Sequence, residues 1–96
     1  MKAVVLSEFG GPEKLVQKEM DLPRAGHREV LIAVKACGVC HFDMVVRTGL
    51  RSKAKLPLIL GHEIAGEIVE VGPDVDSFTP GDRVTCITRV TCRTCQ

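Results

Sequence analysis

The sequence lacks a large excess of charge of either sign. Thirteen Lys and Arg side chains stand against twelve Asp and Glu, which leaves a formal net charge of +1 at pH 7. Nucleic-acid binding normally requires a strongly basic surface, so we expect no DNA or RNA partner. Hydrophobic residues make up 45% of the chain and charged residues 26%, which excludes a disordered tail and is typical of a folded globular domain.

Long apolar runs are also absent. The longest unbroken run, residues 30–34, has five members, whereas a membrane-spanning helix needs about 20. The N-terminal stretch MKAVVLSEFG has no apolar region of the kind found in signal peptides. These absences predict a cytoplasmic protein without a membrane partner.

Aromatic side chains are scarce, with three Phe and neither Trp nor Tyr, whereas Val, Ile and Thr account for 24 of the 96 residues. That composition favours strands, and turn residues divide the chain into short segments. Strands are predicted at residues 2–7, 15–20, 29–37, 58–60, 64–71 and 83–90, with one or two helical turns within residues 39–48. The first two strands form a hairpin, and residues 29–37, apolar on both faces, form a central strand. The pattern predicts a single all-β barrel or sandwich without a Gly-rich phosphate-binding loop.

Five cysteines, an odd number without a secretion signal, indicate metal or thiol chemistry rather than a disulfide framework. Cys37/Cys40 and Cys92/Cys95 are both C-x-x-C pairs. They could together hold one zinc ion, although the 51 residues between them exceed the usual spacing of about 15 to 20. Alternatively, the first pair lies at a strand-to-helix junction and could perform thiol redox chemistry.

A third interpretation pairs Cys40 with His62, which follows it by 22 residues. A thiolate and an imidazole suit zinc, a borderline-soft ion. The carboxylates of Asp43 and Glu63 could fix the tautomer of the imidazole. The competing interpretation is that Cys40 is a small core residue and His62 an ordinary hydrogen-bonded polar residue.

Four segments, taken in order and spacing, resemble the N-terminal GroES-like catalytic domain of zinc-dependent medium-chain alcohol dehydrogenases. They are residues 36–43 (ACGVCHFD), 56–66 (LPLILGHEIAG), 69–73 (VEVGP) and 80–84 (PGDRV). The resemblance spans nearly the whole chain. It implies a mainly β, GroES-like, partly open barrel with one short helix over residues 1–96, as the front part of a longer oxidoreductase whose dinucleotide-binding domain lies beyond residue 96.

The resemblance also implies roles for individual residues. Cys40 and His62 would be ligands of a catalytic zinc ion, Glu63 a nearby or interchangeable ligand, and Asp43 the hydrogen-bond partner of His62. His41 matches a basic position that approaches the pyrophosphate of NAD or NADP. The expected substrates are small alcohols, aldehydes, ketones or enoyl compounds, and members of this family are commonly dimers or tetramers.

A second zinc site is implied near the end of the chain. Cys92 and Cys95 match the first two of four cysteines that bind structural zinc in this family, and the third would fall near position 98. We therefore expect the chain to stop inside that lobe. Cys86 is expected in the core rather than as a ligand.

Phe42 departs from the family pattern, since many members that oxidise alcohols carry Ser or Thr there, whose hydroxyl passes on the substrate proton. A phenyl ring has no such group, which favours reduction of carbonyls or activated double bonds, or a path through His41. Phe42 could also simply pack the helix against the barrel. The competing class of function is a non-enzymatic zinc-binding GroES-like module.

Overall fold

The computed structural model describes residues 1–50, 53–89 and 92. Within these residues, six strands, one α-helix and a 3-10 helix at Pro12–Lys14 follow each other in sequence. The strands are β1 (Lys2–Leu6), β2 (Leu15–Glu19), β3 (Val30–Gly38), β4 (Leu58–Ile59), β5 (Glu63–Val71) and β6 (Arg83–Thr85), and the helix is α1 (His41–Arg47). The described strands form two three-stranded sheets that do not close on each other, which confirms the mainly β, partly open GroES-like fold.

The first sheet has the order β2-β1-β4 and is antiparallel throughout. β1 and β2 form the predicted hairpin, in which Leu6 pairs with Leu15. Their connection contains the 3-10 helix, which Pro12 opens at a position that suits its fixed φ. Val5 and Leu6 of β1 are two of the four buried hydrophobic residues in the part of the chain that the structure describes.

The second sheet has the order β3-β5-β6, so β5 rather than β3 is its central strand. The prediction that residues 29–37 are central is therefore wrong for the described part of the chain. Apolar residues on both faces of a strand describe its side chains, not whether both of its edges are paired. Val30 and Ile32 line an apolar cavity beside the sheet, whereas Val34 is exposed.

β6 is shorter than the predicted strand at residues 83–90, since it ends at Thr85. Thr85 pairs with Ala65, near the beginning of β5. The carbonyl oxygen of Ile64 accepts both the Cys86 N–H, at 3.1 Å, and the Thr85 hydroxyl, at 2.9 Å. β5 begins only one residue before Ile64, so residues 87–89, the described part of the predicted strand beyond Cys86, have no further β5 backbone to pair with.

The helix α1 occupies the middle of the predicted segment 39–48. Cys40 precedes it with extended backbone angles, φ −104° and ψ 152°, and Gly49 follows its C-terminal end with φ 82°. A left-handed φ of this kind favours glycine at a helix end. In the part of the chain that the structure describes, no helix has the length and apolar character that a membrane crossing requires.

Candidate metal centre

Cys40, His62 and Glu63 lie together at one end of the second sheet. Each offers one ligand atom, and these atoms all lie within 4.8 Å of one another. Cys40 immediately precedes α1, His62 immediately precedes β5, and Glu63 is the first residue of β5. Cys40 and His62 are half-buried, whereas Glu63 is exposed. Residues 1–50, 53–89 and 92 contain no other group of three His, Cys, Asp or Glu side chains placed to share a metal ion.

Asp43 connects two members of this cluster. Its Oδ2 accepts a hydrogen bond from the backbone N–H of Cys40 at 3.0 Å, and its Oδ1 lies 3.2 Å from Nδ1 of His62. The side chain of Asp43 is only 13% exposed. A carboxylate at Nδ1 holds the proton on that nitrogen and leaves Nε2 as the nitrogen with a free lone pair, which is the usual arrangement for a metal-binding histidine.

Gly61 sets the direction in which the chain enters His62. Its φ of 111° lies in the left-handed region that side chains rarely adopt. A Cβ atom at this position would also lie 2.6 Å from Sγ of Cys37. Both the backbone conformation and the space available therefore require glycine directly before the histidine.

Gly38 gives the Glu63 carboxylate its space. The two residues are partners across the β3–β5 ladder. A Cβ atom at Gly38 would overlap Oε2 of Glu63 and would lie 3.0 Å from its Cβ. The glycine is thus explained by close approach of a carboxylate in the cluster.

Phe42, the second residue of α1, packs against the imidazole of His62. The ring centroids are 5.9 Å apart and the planes meet at 80°, which is an edge-to-face arrangement. The sequence marked Phe42 as unusual but did not indicate this contact. The available signal was the position of Phe42 between Cys40 and Asp43. Asp43 was the expected partner of His62, and its neighbour on the same helix can also reach that histidine.

The remaining candidate residues of the first C-x-x-C region lie outside the cluster. His41 is the exposed first residue of α1. Cys37 is an exposed free thiol whose Sγ lies 3.6 Å from the Gly38 carbonyl oxygen. Redox chemistry of Cys37 with Cys40 remains a prediction, but Cys40 is placed to serve the metal cluster.

The predicted structural zinc site is only partly within the described residues. Cys92 is exposed, and Cys95 lies outside the described residues. Cys86 is half-buried and lines an apolar cavity of about 210 Å³ with Ile68 and Val84. Cys86 is therefore not one of the fully buried core residues in the described part of the chain, which differs from the expectation that it belongs to the core; it borders that core beside Ile68.

Known proteins resemble this chain in both fold and sequence. The family described as Alcohol dehydrogenase GroES-like domain matches residues 26–96. The NAD-dependent alcohol dehydrogenase of Sulfolobus acidocaldarius is 47% identical over 90 residues, covering 88% of this chain and 26% of that protein. The acryloyl-coenzyme A reductase of Metallosphaera sedula is 40% identical over 84 residues, covering 88% of this chain and 25% of that protein. The crystal structure of AibC superposes with a TM-score of 0.95 at 47% identity, covering 99% of this chain and 26% of AibC.

The chain therefore belongs to the family of alcohol dehydrogenase GroES-like domains, as its sequence motifs indicated. It spans about a quarter of the length of the relatives it matches. Those relatives are oxidoreductases by name, and the names include both a dehydrogenase and a reductase.

Proposed function

We propose that this chain supplies the metal-binding part of a zinc-dependent oxidoreductase that uses NAD or NADP and acts on small alcohols, aldehydes, ketones or enoyl compounds. The observation that carries the proposal is the cluster of Cys40, His62 and Glu63, with their ligand atoms within 4.8 Å of one another. A thiolate, an imidazole and a carboxylate are all ligands that zinc takes, and catalytic zinc sites combine three protein ligands with one open position. The name of the Sulfolobus acidocaldarius relative, an NAD-dependent alcohol dehydrogenase, supports a nicotinamide cofactor.

Zinc held there would supply a Lewis acid that polarises the substrate oxygen, while the nicotinamide exchanges a hydride with the substrate. The chain's own residues prepare the site. Cys40 would provide a sulfur ligand, and Asp43 beside Nδ1 of His62 would leave the lone pair of Nε2 available to the ion. Because Asp43 also binds the Cys40 backbone, one carboxylate orients both ligand-bearing segments.

Glu63 would be the exchangeable third donor. Its side chain is exposed, in contrast to those of Cys40 and His62, and the absence of a side chain at Gly38 leaves its carboxylate room. An exposed carboxylate can leave and return at low cost, so a substrate could take its place.

His41 is proposed to contact the pyrophosphate of the cofactor. It is exposed, lies directly beside Cys40 and opens α1, so a cofactor bound next to the metal would be within its reach. Its charged form would donate a hydrogen bond to a phosphate oxygen. Cys92 and Cys95 are proposed as two ligands of a structural zinc ion on the basis of the sequence alone.

The test is binding of Co²⁺, which reports on zinc sites because it absorbs visible light whereas Zn²⁺ is spectroscopically silent. Binding is measured in a background with Cys92→Ser and Cys95→Ser, so that the second pair contributes no thiolate. We expect one Co²⁺ ion with a thiolate charge-transfer band. Cys40→Ser should remove that band and weaken binding at least about ten-fold, since altering even a ligand's supporting partner costs 10- to 100-fold.

Cys37→Ser is the matched control, because it removes a thiol of the same C-x-x-C pair that lies outside the cluster. It should change the Co²⁺ affinity less than two-fold and leave the spectrum unchanged. Equal losses in the Cys37 and Cys40 variants would contradict the proposed site and indicate the thiol pair instead.

A further inference from the structure

The imidazole of His62 is contacted by two neighbouring residues of α1. Asp43 lies 3.2 Å from Nδ1, and the ring of Phe42 lies edge-to-face against the imidazole with centroids 5.9 Å apart. The carboxylate at this distance favours the tautomer that carries its proton on Nδ1. By itself, however, this single contact leaves the imidazole free to tilt about the line that joins Nδ1 to the carboxylate.

The Phe42 ring restricts that remaining motion. An edge-to-face pair has a preferred interplanar angle, so it resists tilting of the smaller ring. The angle here is 80°, near the perpendicular arrangement. Phe42 and Asp43 are consecutive residues on one helical turn, so the position of α1 determines both contacts at once.

Phe42 also changes the chemical character of this side of the cluster. A phenyl ring has no conventional hydrogen-bond donor or acceptor, so it places apolar surface beside the imidazole. Phe42 therefore offers no group that could accept a proton from the cluster, whereas the exposed Glu63 offers a carboxylate.

We propose that Phe42 is a positioning residue for His62, which holds the imidazole plane so that Nε2 stays directed at the metal bound by Cys40, His62 and Glu63. This inference rests on the proposed function, because it assigns Phe42 a role toward the ion that the cluster would bind.

The first experiment measures Co²⁺ affinity and the Co²⁺ absorption spectrum for Phe42→Leu and Phe42→Tyr. Leucine keeps apolar volume but loses the ring, and we expect a roughly ten-fold loss of affinity, in the range found when supporting partners of metal ligands are altered. The ligand-field bands should also shift, because the imidazole is no longer held at one angle. Tyrosine restores the ring and should keep both the affinity, within two-fold, and the spectrum.

Phe78→Leu is the matched control. Phe78 is 45% exposed and Phe42 is 44% exposed, but Phe78 lines the apolar cavity beside Val30 and Ile68 rather than the metal cluster. Its substitution should leave the affinity and the spectrum unchanged. Equal effects of Phe78→Leu and Phe42→Leu would overturn the inference, since they would trace the loss to general destabilisation.

The second experiment needs no metal. Ring currents from Phe42 should displace the carbon-bound proton resonances of the His62 imidazole, and the displacement should vanish in Phe42→Leu and persist in Phe42→Tyr. Co²⁺ binding that is indifferent to Phe42→Leu overturns the positioning role alone. Failure of the native protein to bind Co²⁺ through Cys40, with the ring-current displacement intact, overturns the proposed function and with it this role.

Discussion

Gly38 shows how a residue without a side chain can shape a site. Its φ is not in the left-handed region, so backbone conformation does not require glycine there. The requirement is spatial, because the Glu63 carboxylate occupies the position of the missing Cβ. Glycine within a strand usually costs about 0.5 to 1 kcal/mol relative to alanine, so an alanine here would set that gain against displacement of the Glu63 carboxylate.

We expect Gly38→Ala to weaken Co²⁺ binding without lowering the free energy of unfolding by more than about 0.5 kcal/mol, since alanine suits a strand better than glycine does. The added methyl group displaces the Glu63 carboxylate from the cluster. The same substitution in a Glu63→Ala background should cause no further loss of affinity, because no carboxylate remains to be displaced. Binding titrations of the two single variants and the double variant form a double-mutant cycle, and additive losses would contradict this explanation.

At the scale of elements, the position of α1 decides the geometry of the metal cluster. With seven residues, the helix is far shorter than the roughly 12 to 15 residues at which an isolated helix becomes marginally stable. It is held at its C-terminal end, where Nη1 of Arg47 donates to the Gly10 carbonyl oxygen at 2.6 Å and the Gly10 N–H donates to the Arg47 carbonyl oxygen at 3.0 Å. The buried side chain of Val46 adds an apolar anchor.

Arg47→Leu should therefore lower the free energy of unfolding by about 1.5 to 3 kcal/mol, the range for a hydrogen bond from a charged group. Leucine keeps most of the apolar stem but leaves the Gly10 carbonyl without this donor. Urea denaturation measures the change. Lys18→Met is the control, because it removes a hydrogen bond from an exposed Lys18 to Ser7 and should cost less than about 0.5 kcal/mol. Equal losses in the two variants would show that the contact at Gly10 does not anchor the helix.

The boundaries of most elements could be predicted from the sequence because they depend on local signals. The β1–β2 hairpin and the helix ahead of Gly49 follow from turn residues and apolar periodicity, and they were predicted to within two residues. The centre of the second sheet was not, because a strand's partners are a long-range property that its own pattern does not encode. The predicted length of β6 was wrong for the same reason, since the end of β6 depends on where its partner β5 begins.

The candidate site divides in the same way. Cys40, His62 and Glu63 stood out because their residue types and motifs are chemically distinctive in the sequence. The contact of Phe42 with His62 and the space that Gly38 leaves for Glu63 were not predictable, because each joins segments that meet only in the folded chain. Residue types and the family resemblance thus indicated the candidate ligands, whereas the contacts around them needed the structure.

For the whole molecule, the notable quantity is exposed surface. The chain exposes 7635 Å², whereas a compact protein of 10.4 kDa exposes about 5,400 Å². Among the described residues, only Val5, Leu6, Val46 and Ile68 are buried hydrophobic residues. The excess of about 2,200 Å² is comparable to the area of a large protein interface. Large apolar side chains contribute to this exposed surface, since Val39 is 88%, Ile87 81% and Leu50 79% exposed.

This open surface predicts a shallow dependence of stability on urea. An unfolded chain of this mass exposes about 15,000 Å², so unfolding here exposes about 7,400 Å² rather than the roughly 9,700 Å² of a compact domain. Because the urea m-value is proportional to the area exposed on unfolding, we expect it to be about a quarter below that of a compact domain of equal length.

The native chain should also bind the apolar dye ANS, which open apolar cavities such as the one beside Ile68 and Val84 can accept. Urea titration and dye fluorescence of the 96-residue chain, measured beside a compact single-domain protein of equal length, test both expectations. An m-value equal to that of the compact protein, together with no dye binding, would mean that the chain closes these faces on itself in solution.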